Sequence, residues 1–345
     1  LKFDAVYYLA SCTKPIATIA ALQAVERGLI GLDDPLDQHL PELATQPIIS
    51  AKGESDFELC PATKSITLRH LITHSSGAAY DMMDPKLILW RRLRGEVPDF
   101  PKTGLVAEHF PEPRVFEAGE GWMYGTGLDW AGLLVARLND TKFGQYVEEN
   151  IAKPLGITSF TWRPSEKPHV VDKVMRMSER GEDGKLVDGP NPIWPEPIGE
   201  GGGAGMYGNS EDFLRVLADL LKDEPVLLKK ETVDLMFTPQ FADGTAALKA
   251  LYKVGSSPFG FAHIVGMSTE DVVANQGLGG VLVIEDVHRD DFEKPRGTLS
   301  WGGLPNLLWS VNREKGLALL YATQVIPWLE EESQKLGRQF ETAVW

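Results

Sequence analysis

The chain opens on Phe3–Ala10 (FDAVYYLA), an aromatic and apolar run with the composition of a short strand. From Ser11 to Arg27 the apolar positions Ile16, Ile19, Ala20 and Leu22 fall at helical spacing, and Gly28 supplies the stop. Pro15 suits the first turn of such a helix, whose amides have no intrahelical acceptor. Between about Leu40 and Gly205, short helical patterns alternate with connections rich in Pro and Gly. The clearest are Ile66–Thr73, Leu87–Leu93, Leu128–Leu138 and Phe143–Ile151. Ser210-Glu211-Asp212 reads as an N-cap serine followed by two carboxylates, opening a helix to about Leu221. The last third predicts strands at Val281–Ile284, Leu307–Val311 and Leu317–Tyr321. The last two flank Asn312–Gly316, a hairpin turn, and Glu330–Val344 predicts a closing helix.

This order predicts an α+β fold, an antiparallel sheet flanked by helices beside a mostly helical lobe, with the active site between them. Residues 1–345 form one catalytic unit. Its α/β lobe takes approximately 1–40 and 205–345, and the mainly helical lobe approximately 41–204.

Composition narrows the function. The chain has 345 residues, 34 basic and 49 acidic, and a net charge of −15. That balance disfavours nucleic acid and anionic lipid surfaces as partners. No apolar run approaches the roughly 20 residues of a membrane helix. Two cysteines, Cys12 and Cys60, exclude a disulfide framework, leave a single bridge open and lean towards a reducing, cytoplasmic setting.

Ser11-Cys12-Thr13-Lys14 has the form S-x-x-K. Residues three apart on a helix share a face, so the lysine amine can reach the serine hydroxyl. A serine needs such a neighbour to become a nucleophile, and a helix N-terminus favours a developing oxyanion. Tyr124 lies in a glycine-rich stretch, Gly119–Gly127, just before a helix. From there it can enter a cleft and act as a general base beside a lysine. Trp301-Gly302-Gly303 follows a strand-like segment, and glycines there let a ligand approach the backbone. Each motif alone is ordinary: a capping serine, a packed aromatic, a strand bulge.

Together, and in this order, the three motifs resemble those of the serine β-lactamases and penicillin-binding proteins. The tyrosine in the second motif is similar to that of class C β-lactamases and family VIII esterases. Further stretches carry the likeness: Ala21–Leu29, Ile66–Gly77, Pro154–Thr158, Leu128–Gly132, Glu231–Phe237, Gly277–Gly280 and Gly302–Asn306. Within the superfamily the chain most resembles the fungal acyltransferases (transesterases) of lovastatin biosynthesis. The resemblance implies a β-lactamase-like fold, an acyl-serine intermediate, and neither cofactor nor metal. It makes Ser11 the nucleophile, Lys14 and Tyr124 the base pair, and Gly303 an oxyanion donor. The residues themselves offer Gly302 and Trp301 of the third motif, and Trp122, as candidates at the substrate. The implied reaction moves an acyl group from an ester or thioester to an alcohol in secondary metabolism. Its partners are a small-molecule donor and acceptor, with an acyl-carrier protein as a further candidate. The alternatives are a carboxylesterase, then a β-lactamase, then a non-catalytic binding protein.

Three departures stand out. The second motif ends in Thr126 rather than asparagine. The third is Trp-Gly-Gly rather than Lys-Thr-Gly, which moves the expected substrate from β-lactams towards esters. Only ten residues precede Ser11, where the family carries a helix and two strands, so the sheet is smaller or the chain begins within a longer protein.

Other motifs are set aside. His70 and His74 have metal-ligand spacing but no glutamate or third ligand. Gly203–Gly208 matches G-x-G-x-x-G, yet no strand precedes it, so it reads as a loop lining the cleft. Cys12 points about 100° from Ser11, towards the core. Trp90 and Trp194 are further candidates for an acyl pocket.

Overall fold

The structure is a computed structural model, and it describes residues 2–53, 55–96, 104–191, 195–255, 273–289 and 292–345. A short strand, Val6–Tyr8, pairs antiparallel with Tyr207–Asn209. After it the chain enters a 3-10 turn, Ala10–Thr13, which runs straight into the helix Lys14–Glu26. Pro15 lies in that helix's first turn, and Gly28 just beyond its end has a φ of 69°. Every residue from Lys14 to Ala24 is buried, as expected of a helix apolar on all sides. It packs beside the helix Gly127–Leu138.

Among the described residues the main sheet has five antiparallel strands, ordered Leu317–Tyr321, Leu307–Asn312, Thr298–Gly303, Val281–Val283, Ala274–Gln276. The hairpin at 312–316 is present, with the Lys315 amide donating to Asn312 Oδ1 at 2.9 Å and Gly316 at a φ of 65°. Trp301-Gly302-Gly303 stands inside the strand Thr298–Gly303, not after it. One side of that strand pairs along its whole length with Leu307–Asn312. On the other side, Val281–Val283 pairs only with Leu299 and Ser300. Beyond Ser300 that second edge has no strand partner among the described residues.

The helix Ser210–Asp219 begins one position earlier than its sequence suggests. Asn209 is the cap, its Oδ1 accepting from the Asp212 amide at 2.7 Å, and Ser210 is the first helical residue. An asparagine caps as well as a serine, so the position whose backbone is extended takes the role. Residues 41–204 carry the expected helices, among them Leu68–Ile72, Pro85–Leu93 and Gly127–Leu138. They also carry two short antiparallel ladders, Ile48–Ala51 with Phe57–Cys60 and Ser178–Arg180 with Leu186–Asp188.

The closing helix Glu331–Val344 is pinned by a buried polar cluster. Lys294 Nζ lies 3.0 Å from Glu341 Oε2 and donates to Ser300 Oγ at 3.1 Å, while Ser310 Oγ donates to Glu341 Oε1. Burial pulls the Lys294 ammonium below its ordinary range, and Glu341 opposes that pull. Cys12 and Cys60 are both free. No described helix is long and apolar enough to cross a membrane.

Candidate active site

The 3-10 turn presents Ser11 at the mouth of the long buried helix. Its geometry is unusual, because Ala10 adopts a φ of 47°, a left-handed conformation uncommon for a residue with a Cβ. Thr13 Oγ1 holds the turn by donating to the Ala10 carbonyl at 2.7 Å. It also accepts from the Met206 amide at 3.3 Å, and the Leu9 amide donates to the Met206 carbonyl at 2.9 Å. The turn is therefore tied on both sides of Ser11 to the segment that leads into Tyr207–Asn209.

Ser11 Oγ lies 2.6 Å from Tyr124 Oη, and Lys14 Nζ donates to Ser11 Oγ at 3.2 Å. Serine and tyrosine are 113 residues apart in sequence, so this contact is made by the fold. Lys14 is 1% exposed. It donates further to the Gly203 carbonyl at 2.7 Å and to Tyr80 Oη at 3.4 Å. An ammonium has three N–H donors, and here three acceptors surround it. The same nitrogen lies 4.5 Å from the Tyr124 ring centroid, within cation–π range.

Aromatic rings fix Tyr124 in place. Tyr80, His74 and Trp301 have centroids 5.3, 5.0 and 5.3 Å from it. Trp301 stacks on His74 at 5.7 Å, and Trp122 meets His74 edge-on. Trp122 Nε1 donates to Gln276 Oε1 at 3.0 Å, so that ring is anchored at both ends. Thr126 is buried with its hydroxyl turned to the Ala78 carbonyl at 3.5 Å.

The glycine strand comes close to the turn that carries Ser11. A Cβ on Gly303 would sit 2.6 Å from the Leu9 carbonyl oxygen and 3.2 Å from Cys12 Sγ. Only a glycine allows that approach. Gly303→Ala is expected to push the strand off the turn and to lower the melting temperature by several degrees. Thermal melts on the variant check this.

Cys12 is fully buried, and burial pushes its thiol up, away from the reactive thiolate. His70 accepts from the Thr67 amide through Nδ1 at 3.1 Å in a reciprocal cap of the helix Leu68–Ile72, which accounts for it without a metal. Trp90 packs with Ile49, Ala79, Leu87 and Val115 in a separate small core. Trp194 lies outside the described residues.

Sequence reasoning missed two polar residues of this site, Tyr80 and Asp129, and weighed His74 only as a metal ligand. Asp129 is 5% exposed, accepting from the Gly203 amide at 2.9 Å and from Tyr80 Oη at 3.3 Å. The available signal was a carboxylate inside the apolar run Leu128-Asp129-Trp130-Ala131. His74 has a φ of 57° and a buried Nδ1 without a hydrogen-bond partner. Burial, helped by the charge of Lys14, holds its imidazole well below 6.5. The unfolded chain takes up a proton near that value and the folded chain does not. The stability tied to His74 is therefore whole above about pH 6.5 and is lost below it, by at most about 1.4 kcal/mol per pH unit. Melting temperatures measured between pH 5 and 7 are expected to fall less steeply in His74→Asn, where asparagine tolerates the positive φ. Equal slopes would place the acid sensitivity in other groups.

A serine on a helix-opening turn, bonded to a tyrosine and a buried lysine beside a glycine strand, defines a serine enzyme of acyl transfer or ester hydrolysis. The comparisons agree: residues 1–343 match the β-lactamase family, and the chain belongs to it. It is 36% identical to the acyltransferase calJ of Penicillium decumbens, over all of this chain and 82% of that protein. It is 37% identical to the lovastatin esterase of Penicillium rubens, over 94% of this chain and 81% of that one. A mutant simvastatin synthase (LovD) from Aspergillus terreus has the same fold, with a TM-score of 0.88 and 33% identity over all of this chain and 81% of that one.

Proposed function

We propose that the protein is a serine acyltransferase (transesterase) of secondary metabolism that carries an acyl group from a thioester or ester to an alcohol through acyl-Ser11. The observation that carries this reading is the 2.6 Å contact of Ser11 Oγ with Tyr124 Oη beside a buried Lys14. Ser11 Oγ attacks the carbonyl carbon of the donor as its proton passes to the Tyr124 oxygen. The Lys14 ammonium stabilises the negative charge on that side of the site. The Ser11 and Gly303 amides receive the oxyanion, and Trp301, Gly302 and Trp122 border the acyl chain. Collapse breaks the bond to the leaving thiol or alcohol, which takes the proton back from Tyr124. An acceptor alcohol then gives its proton to Tyr124 and attacks the acyl-serine carbonyl; collapse breaks the bond to Ser11 Oγ, which takes the proton back from Tyr124. The site lies between an α/β lobe, 1–40 and 205–345, and a helical lobe, 41–204.

Small-molecule donors and acceptors suit a chain with a net charge of −15, which does not favour polyanions. An acyl-carrier protein is a candidate donor. The likeness to an esterase keeps hydrolysis as the second reading, since the two activities use the same groups. The experiment supplies a short branched acyl thioester with a secondary alcohol and measures ester against free acid. Ester as the main product supports the transferase; free acid at every alcohol concentration makes the protein an esterase.

A further inference from the structure

Asp129 stands behind the Ser11–Lys14–Tyr124 cluster, in the first turn of the helix Gly127–Leu138. Two routes join it to Lys14. Its Oδ1 accepts from the Gly203 amide, and the carbonyl of the same residue accepts from Lys14 Nζ. Its Oδ2 accepts from Tyr80 Oη, which in turn accepts from Lys14 Nζ at 3.4 Å. A Cβ on Gly203 would lie 2.2 Å from Asp129 Oδ2, so a side chain there would close the space between loop and carboxylate.

The other titratable groups around this pair are Tyr8, Cys12, His74, Tyr80 and Tyr124. Burial pushes Tyr8, Tyr80 and Cys12 up and His74 down, so these four carry no charge near neutral pH. Burial also raises Asp129, but the Lys14 charge, the Gly203 amide and the Tyr80 hydroxyl all oppose that rise. A buried ammonium with no opposite charge is costly, and a carboxylate two hydrogen bonds away relieves that cost.

We propose that Asp129 is the counter-charge of Lys14 and a positioning residue for acylation, acting through Tyr80 and Gly203 without touching substrate. It keeps the lysine aimed at Ser11 while leaving its nearest face to the reaction. The inference rests on Ser11, Lys14 and Tyr124 being the reacting cluster.

The test compares parent, Asp129→Asn, Tyr80→Phe and Ser11→Ala, each as the whole chain, with a short acyl thioester across pH 5–9. Asparagine keeps the shape and removes the charge. Acylation in Asp129→Asn is expected to slow by roughly 10- to 100-fold, as for other residues that orient a reacting group. The rising limb of its pH–rate profile should move to lower pH by about half a unit or more, because a cluster without its counter-charge gives up a proton more readily. A purely structural loss would lower the rate without moving the limb. Tyr80→Phe removes one route but keeps the charge, and should move the limb less in the same direction. It also serves as the deciding variant should Asp129→Asn fail to fold. An unmoved limb in the variants overturns the inference. Acylation retained in Ser11→Ala would instead overturn the assignment of the cluster itself.

Discussion

Replacing Ser11 with alanine is expected to lower kcat/KM for acyl thioesters by at least about 10⁴-fold, because the covalent route disappears with the nucleophile. The change removes one oxygen whose hydrogen bonds go to Tyr124 and Lys14 among the described residues, so folding should be little altered. Melting temperature and circular dichroism should match the parent while turnover is lost. The neighbouring thiol offers no substitute. Cys12 is 0% exposed, and its burial disfavours the thiolate. Turnover by Ser11→Ala near the parent rate would require a different nucleophile and would remove the reason for the Ser11–Tyr124 contact.

The second large effect falls on stability. Glu341→Leu is expected to cost about 3–5 kcal/mol, because it removes the carboxylate that pairs with the buried Lys294 ammonium. Lys294 is 0% exposed and Glu341 is 1% exposed, so water cannot replace the lost partner. The double variant Lys294→Met, Glu341→Leu removes both charges and should recover most of the loss, since an apolar pair of similar volume is often neutral. Thermal melts of the single and double variants check both statements. A single variant that melts with the parent would show that the cluster does not hold the closing helix to the sheet.

Local chemistry explains which parts of the fold were legible in sequence. The strand–turn–helix around Ser11 is marked by an apolar run, an early Pro15 and a terminal Gly28, each acting within a few residues. The hairpin at 312–316 is marked in the same way. The ladders at 48–60 and 178–188 have strands of only three or four residues with many exposed positions, so no period of two builds up.

The candidate site divides along the same line. Lys14 near Ser11 follows from helical spacing. Tyr124 near Ser11 follows from the order of motifs and the resemblance, since no local rule joins positions 113 residues apart. Tyr80 and Asp129 stay hidden because their partners come from distant segments, the Gly203 loop above all. The glycine-rich match at 203–208, read as a loop, is loop only before Tyr207, where the strand Tyr207–Asn209 begins; Gly203 supplies the carbonyl that receives Lys14.

The central claim is that acyl groups pass through Ser11. Intact-protein mass after brief incubation with a short acyl thioester, followed by peptide mapping, tests it most directly. The account predicts a gain of one acyl group, carried by the peptide containing Ser11, absent in Ser11→Ala and discharged by an alcohol. Turnover with no adduct at Ser11, or an adduct that persists in Ser11→Ala, would contradict it.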